Sequence, residues 1–71
     1  MDVRELRAFA RVYESGSLTQ AAQETFVTRQ AMGKTIAQLE GELGQLFVRS
    51  ARGVAPTELA HEIYPHVLAC L

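Results

Sequence analysis

The chain predicts a mostly α fold: a helix-turn-helix preceded by one amphipathic helix and followed by a small β-hairpin and a last helix. Three observations carry this. Residues 16–44, GSLTQAAQETFVTRQAMGKTIAQLEGELG, read as a short helix, a tight turn and a longer helix. The segment before Gly16 repeats its apolar residues at helical spacing. After Gly44 the helical period gives way to a short β-prone run, QLFVR, then a turn and a proline.

The first helix starts at Asp2, an N-cap candidate, with Glu5 placed in the first turn where the helix dipole favours an acid. Val3, Leu6, Phe9, Ala10 and Tyr13 give one apolar face over about four turns, ending near Ser15. Arg4, Arg7 and Arg11 line another face. They are read as solvated and paired with neighbours such as Glu14, with a phosphate backbone as the alternative partner.

Gly16 ends that helix. Ser17 is the next N-cap candidate, and Gln20 stands three residues on, at capping-box spacing. Leu18, Ala21 and Ala22 make a small apolar face, and alanines let a second helix cross closely. Phe26 and Val27 are expected to supply apolar contacts in the connection. Thr28 is a further N-cap candidate. Met32, Ile36, Leu39 and Leu43 then form a stripe for burial, and Gly44 stands where a helix C-terminus favours glycine.

The opposite face of this second helix carries Arg29, Gln30, Gly33, Lys34 and Ala37, with no acid before Glu40. In a helix-turn-helix that reads DNA, the N-terminal residues of the second helix meet base edges. Arginine pairs bidentately with guanine and glutamine with adenine. Gly33 offers bare backbone to a phosphate or base, and lowers helix stability by about 1 kcal/mol relative to alanine. The same residues also suit an ordinary solvated surface.

Beyond Gly44, Ser50-Ala51-Arg52-Gly53 is a turn candidate and Val54-Ala55-Pro56 a short returning edge. Pro56 lacks an N–H and so suits a strand end. Arg49 and Arg52 flank or occupy the tip of this hairpin. Beside a recognition helix they could reach a phosphate or a narrow minor groove; on a plain surface hairpin they would face water. Thr57 caps the last helix, with Glu58 in its first turn. Leu59, Ala60, Ile63, Val67, Leu68 and Leu71, with Tyr64, form a broad apolar surface. It fits either a partner helix or packing back on its own domain. Pro65 is expected to kink this helix or force local rearrangement. The pattern is still running at Leu71, so either a longer natural helix or a fragment is expected.

Composition narrows the function classes. With 71 residues, 48% hydrophobic and 21% charged, the chain is globular and one domain at most. A domain this small buries about 60% of its unfolded surface. The single cysteine leaves no disulfide framework and fits a reducing cytoplasm. No signal peptide or membrane span is read. The net charge of −1 and pI of about 6.1 argue against a strongly basic nucleic-acid binder. The distribution is uneven, however. From Thr28 to Thr57 the cations Arg29, Lys34, Arg49 and Arg52 face only Glu40 and Glu42, while the other acids lie outside. No catalytic constellation is present, so no enzyme activity is expected. His66 and Cys70 share a helical face, but two ligands do not make a metal site, and no metal or cofactor is expected.

The combined stretches MDVRELRAF, GSLTQAAQ, FVTRQAMGKTIAQLEGELGQLFVR and RGVAPTELA resemble the N-terminal DNA-binding domain of LysR-type transcriptional regulators. They cover essentially the whole chain, and the ELG–LF–R–G–PTE continuation makes the match specific. The resemblance implies a winged helix-turn-helix, a three-helix core plus β-hairpin wing, over residues 1–58. The helix-turn-helix lies at about 18–43, the recognition helix at 29–43 and the wing at about 46–56. Residues 59–71 would open a linker helix that pairs with its counterpart in a homodimer, through Leu59, Ile63, Tyr64, Val67, Leu68 and Leu71. A small-molecule inducer would bind only a C-terminal domain absent from this chain.

By position, the resemblance sets Ser17, Thr19 and Gln20 near the DNA backbone. It turns Thr28, Arg29, Gln30, Gly33 and Lys34 to the major groove, and gives Arg49 and Arg52 to the wing. Arg29 stands where glutamine is common, Gln30 where proline or serine is common, and Gly33 replaces a usual serine. Ala37 and Gln38 stand where basic residues are frequent. These departures change base preference and remove phosphate contacts. The expected function is therefore sequence-specific binding of double-stranded DNA in the bacterial cytoplasm, as a dimer on an interrupted palindrome. The alternative is a winged-helix module that binds protein, favoured by the weak net charge and the apolar last helix.

Overall fold

The structure is a computed structural model describing all residues, 1–71. Four helices and one hairpin follow in the order α1 (Val3–Ser15), α2 (Leu18–Glu24), α3 (Arg29–Leu43), β1 (Phe47–Ser50), β2 (Gly53–Pro56) and α4 (Glu58–Cys70). The expected elements are all present, and α3 has the expected bounds.

Each helix start is capped by a short polar side chain. Asp2 accepts from the Glu5 amide at 2.9 Å, and the Glu5 carboxylate accepts from the Asp2 amide at 3.0 Å, a complete capping box. At Ser17 only half of the expected box forms. Its hydroxyl accepts from the Gln20 amide at 3.1 Å, but the Gln20 side chain reaches forward to Glu24 instead. Thr28 and Thr57 cap α3 and α4 through the amides of Ala31 and Ala60.

Helix α1 is the centre of the molecule and packs against α2, α3 and α4. Its buried face is wider than the sequence pattern predicts. Ala8 and Val12 join Phe9 and Ala10 in the core, whereas Val3, beyond the edge of the packed layer, is exposed. From α2 come Ala21 and Ala22, and from α3 come Met32, Ile36 and Leu39. The alanines keep α2 close to its neighbours, as small residues at a helix crossing do.

Two corrections follow, one in the connection between α2 and α3 and one within α4. Phe26 is 94% exposed and makes no core contact. The amides of Phe26 and Val27 turn back to the carbonyls of Gln23 and Ala22, which closes the turn with Phe26 at φ 59° and its ring outside the core. Pro65 does not break α4, which runs continuously from Glu58 to Cys70. The ring removes one amide from the ladder without interrupting the helix.

An aromatic clasp holds α4 to α1. Tyr13 and Tyr64 stack with centroids 3.9 Å apart, and Phe9 lies 5.6 Å from Phe47 at the base of the hairpin. Such pairs contribute about 0.5–1.5 kcal/mol beyond their burial. The Tyr64 hydroxyl donates to Glu14, whose carboxylate holds the phenol above its usual range. The Tyr13 hydroxyl meets His61 Nδ1 at 2.8 Å.

Candidate nucleic-acid interface

The N-terminal turn of α3 places Arg29, Gln30 and Lys34 at the surface, all exposed, with Gly33 half-buried beside them. A Cβ added at Gly33 would meet nothing within 4 Å, so no neighbour within the domain requires glycine there. Thr28 is exposed, but its hydroxyl oxygen is engaged in capping. Arg29 Nε donates to Thr19 Oγ1 on α2 at 3.1 Å, which joins the N-terminal ends of the two helices.

The hairpin is antiparallel, with Phe47 opposite Pro56 and Ser50 opposite Gly53, so Ala51-Arg52 forms the tip. Arg49 pairs with Val54 along the strands and is exposed, as is Arg52. A cleft of about 210 Å³ runs between α3 and this wing, with Gly33 and Glu40 on one wall and Val48 and Arg49 on the other.

Four hydrogen bonds set the position of the wing. The Glu40 carboxylate accepts the amides of Leu46 at 2.8 Å and Phe47 at 3.1 Å, so the acid on α3 holds the chain entering β1. Thr57 donates its hydroxyl to the Gln45 carbonyl at 2.8 Å, tying the exit of the wing to its entry. The Val54 amide donates to the Gly16 carbonyl at 3.0 Å, which seats β2 on the start of the helix-turn-helix. Gly53, at φ 130°, permits this seat: a Cβ there would come within 2.3 Å of the Gly16 carbonyl oxygen. None of these contacts carries a periodic signal, and Glu40 reads in the sequence as one more solvated acid.

Charge is partitioned. On the α1 side, Arg11 pairs with Glu14 at 3.5 Å and Arg4 with Asp2 at 3.8 Å, as expected, while Arg7 is unpaired. The Met1 amino group pairs with Glu42 and Glu5, which raises its pKa from 8.0. Arg29, Lys34, Arg49 and Arg52 make no ion pair with any carboxylate. Ser17 and Gln20 lie at the start of α2, their polar atoms engaged in the cap and with Glu24.

On α4, the predicted apolar surface divides. Val67 is buried, and Leu59, Ile63 and Tyr64 pack against the core of the same domain. Leu68 and Leu71 remain open, at 45% and 47% exposure. No helix is long and apolar enough to cross a membrane.

Residues 3–61 match the family model described as bacterial regulatory helix-turn-helix protein, lysR family. The chain belongs to the LysR family. The nitrogen assimilation regulatory protein nac of Escherichia coli (strain K12) is 42% identical over 72 residues, covering 100% of this chain and 24% of the relative. The HTH-type transcriptional regulator AbaB of Streptomyces antibioticus is 44% identical, covering 94% of this chain and 24% of the relative. Among solved structures, the CbnR DBD–DNA complex superposes with a TM-score of 0.93 at 30% identity, covering 99% of this chain and 82% of that one. The complex of the BenM DBD with benA site 1 DNA gives 0.91 at 35% identity, covering 99% and 80%. This LysR-family chain thus spans 24% of the length of the curated relatives first matched. These relatives are named as regulators, not as enzymes.

Proposed function

We propose that the chain is the DNA-reading head of a LysR-type transcription regulator of the bacterial cytoplasm, binding double-stranded DNA sequence-specifically. The observation that carries this is the set of cations on α3 and the wing, all exposed and none matched by an acid. Unmatched cations on two elements held at a fixed spacing suit a phosphate backbone on either side of a groove. The relatives solved on DNA share this fold throughout.

In this reading α3 enters the major groove. Arg29 and Gln30 read base edges, with Thr28 at the helix start and Gly33 letting the duplex approach. Lys34 and the wing residues Arg49 and Arg52 hold phosphates. Ser17 and Gln20 lie near the backbone at the start of α2. Leu68 and Leu71 extend the apolar edge of α4 toward a second copy, and Leu59, Ile63, Tyr64 and Val67 set its angle from within the domain. A dimer would present two α3 helices to half-sites roughly 34 Å apart. An inducer would act only through a further domain.

Duplex titration over a series of salt concentrations tests the reading. Affinity falls linearly on a log–log scale, and Arg52→Ala reduces the slope by about one without altering base preference. Binding that is absent, or insensitive to salt, overturns it.

A further inference from the structure

Arg29 occupies the first position of α3, and the only protein partner of its guanidinium is Thr19 Oγ1, reached from Nε at 3.1 Å. Nε is one of five guanidinium donors. The terminal nitrogens, the pair that would grip a guanine edge, stay free. Thr19 is suited to this task. Its β-branched side chain is stiff about χ1. The hydroxyls of Thr25 and Thr35 donate to carbonyls one helical turn back, but the Thr19 oxygen has no backbone partner. Its single hydrogen bond is with the arginine on the neighbouring helix.

A free arginine side chain loses rotamer freedom on being fixed. Fixing it before the duplex arrives lowers that cost and sharpens its geometry. We propose that Thr19 is a positioning residue for base recognition, holding Arg29 with its terminal nitrogens outward so that preference at one base pair depends on a hydroxyl that touches no base. The family resemblance sets Thr19 near phosphate; the bond to Arg29 gives its oxygen a different task. This inference rests on Arg29 being a base reader.

The test compares wild type with Thr19→Val, Thr19→Ser and Arg29→Ala on a selected duplex and its single-base variants. Thr19→Val keeps the shape and removes the acceptor; Thr19→Ser keeps the hydroxyl. Far-UV circular dichroism and urea midpoints establish that each variant folds. Thr19→Val should lower preference about three- to tenfold, at the base pair where Arg29→Ala changes it, with no change in salt slope. Thr19→Ser should restore the preference, and in an Arg29→Ala background Thr19→Val should add nothing. A Thr19→Val variant that weakens all duplexes alike with a shallower salt slope identifies a phosphate ligand and overturns the proposal. A variant with unchanged preference overturns it too. Arg29→Ala without effect on any base position removes the reader, and the proposal with it.

Discussion

Phe26 holds its backbone at φ 59° with the ring 94% exposed. The left-handed region costs a non-glycine residue roughly 1–2 kcal/mol, and asparagine tolerates it better. Because the ring buries almost nothing in the domain, Phe26→Asn should raise stability by about 1 kcal/mol, read as a higher urea midpoint. A fall would mean that the ring packs on the folded domain. At Arg29 the sequence shows the charge and its place at a helix start, but not the Thr19 contact, which joins residues ten apart through side chains alone. If its guanidinium grips a guanine, Arg29→Ala should lower discrimination at one base position by about 1–3 kcal/mol, measured by competition between single-base variants. Unchanged preference would remove it from the reading set.

Elements were the most legible level. Short polar caps, apolar spacing and the change of period after Gly44 locate all four helices and the hairpin, because these signals are local. What joins the elements was not legible, because it depends on partners distant in sequence. Glu40 is the clearest case: its carboxylate receives two amides of the chain entering the wing, and nothing in its spacing distinguishes it from Glu42. Glu40→Ala leaves the amides of buried Leu46 and Phe47 without their acceptor and should cost about 1–3 kcal/mol. Hydrogen exchange at those two amides should accelerate; unaltered exchange would mean that another group holds the wing. The capping box at α1 gives a pH dependence. The Glu5 amide holds the Asp2 carboxyl below its ordinary value of 3.8. A lowered folded-state pKa means that the unfolded chain binds more protons in this window, so stability rises with pH there. The destabilisation caused by Asp2→Ala should be full above about pH 4 and fade as pH falls through the folded value. Urea midpoints of both proteins across this range check it.

At the scale of the whole molecule, a chain of net charge −1 keeps its unmatched α3 and wing cations on the elements bordering one cleft. Overall charge therefore understates attraction for phosphate, which responds to the local field. Helix α4 serves the domain first: Val67 completes the core, and the aromatic clasp fixes the helix direction relative to α1. Leu68 lies outside that core, so Leu68→Asp should leave the urea midpoint nearly unchanged while abolishing joint binding to paired half-sites, with single half-site binding kept. Paired binding that survives the substitution would place the dimer contact elsewhere. The most direct measurement is selection from a random duplex pool at two salt concentrations, followed by sequencing of what stays bound. A dimeric reader recovers an interrupted palindrome, more strongly at low salt. No enriched sequence at either salt would contradict DNA reading by this chain.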